Sequence, residues 1–171
     1  MFLYQGVREK IKEDLSIGMD YCPNCRIFTR FFLGRHLRIE HLNYIPLKTW
    51  VLDHAEFCDK CKCGRTLSQD AYNARTEILA PFANKKQQKQ CYEKMLSLAT
   101  SKPADEETAA QILDALGAEF PVKASPQLEE IFRRRVDMLL ALHGRGGDPQ
   151  ACMHRANVQP VQKILVDDYD D

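Results

Sequence analysis

The chain lacks net charge, with 24 lysines and arginines against 24 aspartates and glutamates in 171 residues. Without an excess of either sign there is no global pull toward nucleic acid or anionic lipid. It also lacks any apolar run near the roughly 20 residues that a membrane-crossing helix needs, so no transmembrane segment is expected. There is no repeat of fixed period and no long low-complexity segment. Nothing at the start reads as a signal peptide, and the seven cysteines are odd in number and paired in spacing. These features argue against a secreted disulfide framework and for a reduced, cytoplasmic protein. Paired carboxylates and nucleophile–base spacings are missing too, so no enzyme is expected.

What is present is a pair of Cys-x-x-Cys motifs, Cys22-Pro23-Asn24-Cys25 and Cys58-Asp59-Lys60-Cys61. Each pair can form a tight turn that aims two sulfurs at one point. Two such turns close a tetrahedron with metal–sulfur bonds of about 2.3 Å, the geometry zinc accepts. The spacing between them is long for a finger, but loop closure grows slowly in entropic cost. Cys22, Cys25, Cys58 and Cys61 are therefore the expected ligands of one structural Zn2+ per chain. Cys63 offers a further thiol beside the second pair. Sulfurs of a Cys-x-Cys pair sit on opposite sides of an extended segment, so Cys58 with Cys61 makes the better clamp and Cys63 is read as a bystander. His36, His41 and His54 lie between the pairs and are read as strand or loop histidines. Lys60, Lys62 and Arg65 are either ordinary surface charge or cations that help keep the thiolates ionised.

The fold class expected is α+β. Residues 1–67 carry aromatic and β-branched segments at 2–4, 27–33 and 49–52, punctuated by Gly18, Gly34, Pro46 and Gly64. A β-rich segment this small has little core of its own and needs a staple such as zinc. From Ser68 the pattern turns helical, giving a helical domain over 68–171. The first helix starts at Ser68 or Gln69 and is interrupted near Pro81. Cys91, Tyr92, Met95, Leu96 and Ala99 mark the next. Asp105-Glu106-Glu107 opens another, with the stripe Ala109, Ile112, Leu113 and Leu116. Ser125-Pro126 opens a helix whose face is Leu128, Ile131, Phe132, Leu139 and Leu142, with Gly144 as its stop. Arg133-Arg134-Arg135 is read as a solvated face. Asp148-Pro149 and Pro160 suggest further short helices, His143–Gly147 a helix-terminating loop, and Asp167–Asp171 an acidic tail.

The first 67 residues resemble a family of small, mostly bacterial zinc-ribbon proteins. The resemblance runs through Met1-Phe2-Leu3-Tyr4, Lys10–Leu15, Cys22-Pro23-Asn24-Cys25, Arg35-His36-Leu37-Arg38, Tyr44-Ile45-Pro46-Leu47 and Cys58-Asp59-Lys60-Cys61. Arg26 stands where that family usually has a glycine, and Cys63 where it has no cysteine. The resemblance implies a zinc ribbon on Cys22, Cys25, Cys58 and Cys61, and it implies no particular activity. A closed four-thiolate site has no open position for substrate, so the expected function is a non-catalytic zinc-binding module that docks a protein partner. The alternative is a nucleic-acid-binding ribbon using Arg30, Arg35, Arg38 and the aromatics Phe28, Phe31, Phe32, Tyr44 and Trp50. A Cys-x-x-Cys dithiol oxidoreductase is the enzyme-class rival.

Overall fold

A computed structural model describes residues 4–143 and, by backbone alone, 162–163. The fold class is α+β: an antiparallel sheet comes first and four helices follow. The strands are β1 (Gln5–Cys22), β2 (Ile27–Leu42), β3 (Ile45–Cys58) and β4 (Cys63–Leu67), with β5 (Gln162–Lys163) pairing on the outer edge of β4. Sheet order follows chain order. The helices are α1 (Gln69–Leu79), α2 (Lys85–Ser101), α3 (Glu106–Gly117) and α4 (Pro126–His143).

The strands expected to be short are long: β1, β2 and β3 hold 18, 16 and 14 residues. Gly18 and Gly34 lie inside strands rather than breaking them, for physical reasons. Gly18 takes φ 84° at a bulge where β1 shifts register, a conformation that suits glycine. At Gly34 a Cβ would meet the Lys12 carbonyl oxygen at 2.6 Å, so only glycine lets the two strands run this close. Pro46 pairs with His41 near the start of β3, where a missing N–H costs least. Residues 1–3 lie outside the described part, as do Gly144 and the rest of the 143–147 loop, Asp148-Pro149, Pro160 and the acidic tail.

The helix boundaries follow the expected chemistry. Ser68, Asn84, Asp105 and Ser125 each accept a backbone N–H in the first turn of their helix. Pro81 sits in a short 3-10 turn after α1. The α3 stripe Ala109, Ile112, Leu113 and Leu116 is buried, as are Leu128, Ile131, Phe132 and Leu139 of α4. Arg135 corrects one expectation. It is buried, not part of a solvated face, because it stands seven residues after Leu128 and so on the same helical stripe. Its guanidinium lies 3.5 Å from Asp20 and over the Phe132 ring.

One buried cluster runs from the sheet into the helices. It joins Ile17, Tyr21, Phe31 and Leu33 to Phe82, Met95, Phe132 and Val136, and it includes Cys22 and Cys58. A polar seam crosses it: the Gln88 amide donates to the Ser16 and Phe82 carbonyls at 2.8 and 2.6 Å, and the Ser16 hydroxyl donates back to Gln88 at 2.8 Å. On the opposite sheet face Phe32, Ala55 and Phe57 form a small second cluster. The helices cover the cysteine half of the sheet. The far half, built from the start of β1, the end of β2 and the start of β3, projects beyond them. No described helix is long and apolar enough to cross a membrane.

Candidate metal centre

The two Cys-x-x-Cys motifs become matching knuckles at one end of the sheet. The first is the turn between β1 and β2, the second the turn between β3 and β4. In each, the residue after the second cysteine closes the turn: Arg26 N–H donates to the Cys22 carbonyl at 2.7 Å, and Lys62 N–H to the Cys58 carbonyl at 2.9 Å. Both closing residues are left-handed, Arg26 at φ 57° and Lys62 at φ 56°. Sheet pairing aligns the knuckles, since Cys22 faces Ile27 and Cys58 faces Phe31 on the shared strand β2. Arg30 fastens the second knuckle to that strand. Its guanidinium donates to Asp59 at 3.2 Å and twice to Glu13 at 2.8 and 3.1 Å, and its carbonyl accepts the Asp59 N–H.

The sulfurs of Cys22, Cys25, Cys58 and Cys61 all lie within 4.8 Å of one another. Cys22 Sγ is 3.7 Å from Cys61 Sγ, and Cys25 Sγ is 3.9 Å from Cys58 Sγ. A tetrahedron with metal–sulfur arms of about 2.3 Å has edges of about 3.8 Å, so these cross-knuckle separations fit a shared ion. Among the described residues this is the one group of cysteine, histidine or carboxylate side chains close enough to hold a metal ion. Cys22 and Cys58 are buried and the other two half-buried.

The electrostatics ask for a cation. Burial pushes the Cys22, Cys25 and Cys58 thiols up. At Cys61 burial also works upward, but the Cys63 backbone N–H and the Asn24 side chain outweigh it and bring the thiol down to about 6. Four sulfurs this close cannot all ionise without a positive charge among them.

The remaining candidates fall elsewhere. Cys63 is buried at the start of β4 and outside the four-sulfur group, and its thiol is pushed up to about 11, chiefly by burial. Its contribution to the site is its backbone N–H. His36 sits between Glu9 at 3.0 Å and Asp53 at 3.5 Å. His41 is stacked with Tyr44 and tilted on Tyr4, and His54 packs on Tyr72. Lys62 pairs with Asp59 and Arg65 with Glu56. The roles of Asn24 and of the Arg30 clamp escaped the sequence reading, since neither residue carries a motif. The clearest available signal was Arg30's place three residues after a strand start. Away from the cysteines, a concavity of about 440 Å³ opens between the middle of the sheet and α1, lined by residues that include Asp14, Arg35, Val51, His54 and Tyr72. Within it Asp14 takes two bonds from Arg35 and one from the Tyr72 hydroxyl.

The chain matches no family model, no curated protein and no solved structure with which it was compared.

Proposed function

We propose that this chain is a non-catalytic, zinc-binding interaction module of the zinc-ribbon type, with one structural zinc on Cys22, Cys25, Cys58 and Cys61. The observation that carries the reading is the four-sulfur cluster, in which two knuckles present sulfurs at tetrahedral separations. Zinc takes four thiolates without redox chemistry. A tetrahedron filled by protein sulfur keeps no position for water or substrate, which supports a structural role over a catalytic one. The metal end holds the fold together and the projecting half of the sheet is left to make contacts.

The nucleic-acid alternative is less well supported. Two of its three arginines are spoken for: Arg30 by Glu13 and Asp59, Arg35 by Asp14. Of the aromatics, Phe28, Phe31 and Phe32 are buried and offer no stacking platform. The oxidoreductase alternative needs one knuckle free of metal and exposed at a helix start, whereas Cys25 leads into a strand.

Metal analysis of protein purified without added zinc tests this reading. About one zinc per chain is expected. Cys61→Ser should lose the metal, while Cys63→Ser should keep it. A metal-free purified protein, or loss of metal in Cys63→Ser with retention in Cys61→Ser, would overturn the assignment.

A further inference from the structure

Five of the eight large hydrophobic side chains that stand exposed gather at the end of the sheet opposite the cysteines: Tyr4, Val7, Tyr44, Ile45 and Leu47. Apolar surface concentrated in one place marks a docking site. Tyr44 and Ile45 are the most exposed, at 74 % and 66 %. They stand at the very tip, where Asn43 and Tyr44 form a two-residue turn between β2 and β3. Both turn residues are left-handed, at φ 48° and 65°, as a type I′ hairpin requires. Glycine is the ordinary choice at the second position. A tyrosine held there costs on the order of 1 kcal/mol or more, and its ring is turned out to solvent. Asn43 ties the tip to the start of the chain, donating its N–H to the Tyr4 carbonyl and accepting the Tyr4 N–H on its side chain. Tyr4 is thereby set beside Tyr44, ring centres 6.0 Å apart.

Behind this apolar tip stands a ring of cations. Arg8 and Lys10 face Ile39 and Leu37 on one side of the sheet, and Arg38 and Lys48 belong to the other, opposite Trp50 and Glu40. All four are exposed. At a strand rise of about 3.3 Å per residue, Arg8 and Lys48 lie about 13 Å back from the turn, Arg38 about 16 Å and Lys10 about 20 Å. Residues 4–10 and 37–50 carry four basic side chains, Arg8, Lys10, Arg38 and Lys48, against the acidic Glu9 and Glu40. The chain as a whole is neutral, but this end is not.

We propose that the projecting tip of the sheet docks on an anionic lipid bilayer. The apolar residues enter the headgroup boundary and the ring of cations meets the lipid phosphates. A bilayer accepts apolar side chains to a depth of about 5–10 Å at its interface, and the long side chains of Arg8 and Lys48, rooted about 13 Å behind the turn, can reach forward to the phosphates above that depth. Tyrosine favours this zone, with its ring among acyl chains and its hydroxyl among headgroups. Charge selects this occupant over a second copy, because self-association would set one cationic end against another. Shape selects it over a protein groove. Arg8 and Lys10 stand on one face of the sheet and Arg38 and Lys48 on the other, and a bilayer surrounds such a tip while a groove takes one face. The proposal rests on the reading of the chain as a metal-stapled docking module.

The test mixes the full zinc-loaded chain with vesicles of phosphatidylcholine alone or with added phosphatidylserine, and measures co-sedimentation and Trp50 emission. Trp50 is the single tryptophan and lies on β3 opposite Arg38 with Lys48 over its ring, so its emission reports the band of cations meeting the headgroups. Binding to the phosphatidylserine vesicles is expected, weakened by salt and accompanied by a blue shift of Trp50. A Tyr44→Gly, Leu47→Ser variant should bind about tenfold less or weaker still. Glycine relieves the backbone at position 44, so the variant does not fail for want of folding, and its zinc content checks this. Absence of vesicle binding, or equal binding by the variant, overturns the proposal. Self-association removed by the variant, without vesicle binding, would overturn it by giving the tip to a second copy. Protein that carries no zinc as purified would fail the underlying reading, whereas zinc-loaded protein that ignores vesicles fails this proposal alone.

Discussion

Arg26 and Lys62 hold equivalent left-handed positions, one closing each knuckle, yet they differ in what their side chains do. Lys62 pairs with Asp59 at 2.9 Å and lies over the Phe32 ring, contacts that offset part of its backbone cost. Arg26 is exposed and closes its turn by backbone alone. A left-handed L-residue costs about 1–2 kcal/mol, and glycine gives back roughly half of that in unfolded-state entropy. Arg26→Gly is therefore expected to stabilise the metal-loaded protein by about 0.5–1 kcal/mol. A urea titration should show the midpoint moving up with an unchanged slope, and a lowered midpoint would mean that the Arg26 side chain is anchored. Legibility at this scale was uneven. The four cysteines could be picked out because sulfur at fixed spacing has few other uses. Arg135 was misread because charge was weighed above its place on the α4 stripe. Its Nε and Nη2 make no hydrogen bond among the described residues, and burial lowers its pKa.

At the scale of elements the helices were readable and the strands were not, and the reason is physical. Helix ends carry local chemistry, a capping oxygen or a proline, that acts within four residues. The end of a strand depends on its neighbour. Gly18 and Gly34 looked like breaks because a local reading cannot see a bulge or a close strand crossing. The bulge at residue 14 illustrates what such irregularity does. It breaks the register between Glu13 and Leu15, and Asp14 there receives Arg35 of β2 and the Tyr72 hydroxyl of α1 at 2.7 Å. Burial works to raise the Asp14 pKa, but the bonds from Arg35 and Tyr72 prevail and hold it below the ordinary 3.8. A carboxylate with a depressed pKa adds stability above its unfolded value and loses it as pH falls through the folded one. Tyr72→Phe removes one of those donors. It should cost about 0.5–1.5 kcal/mol near neutral pH, discounted because the Asp14 side chain is partly exposed. Acid unfolding followed by circular dichroism should then begin at higher pH than in the parent. An identical acid limb in the two proteins would show that the α1–β1 link contributes nothing.

For the molecule as a whole, the question is whether a metal on the four cysteines would hold only the sheet or the helices as well. The sequence suggested a small ribbon with its own thin core, stapled by zinc, followed by a helical segment. Two of the four cysteines, Cys22 and Cys58, belong to the same buried cluster as Phe82, Met95, Phe132 and Val136. The Ser16–Gln88 pair fastens β1 to α2 within that cluster. Structural zinc on thiolates is worth about 10–16 kcal/mol of apparent binding energy, comparable with the roughly 5–15 kcal/mol that holds a typical domain folded. Losing the first should therefore abolish the second wherever the two share a core. Chelation is expected to collapse the near-ultraviolet signal of the aromatic core and the 222 nm helical signal together, in one transition, and added zinc should restore both. Retention of full helical ellipticity after the metal has left would show that α1–α4 fold without the sheet, and that the shared cluster is a contact between independent units rather than a common core.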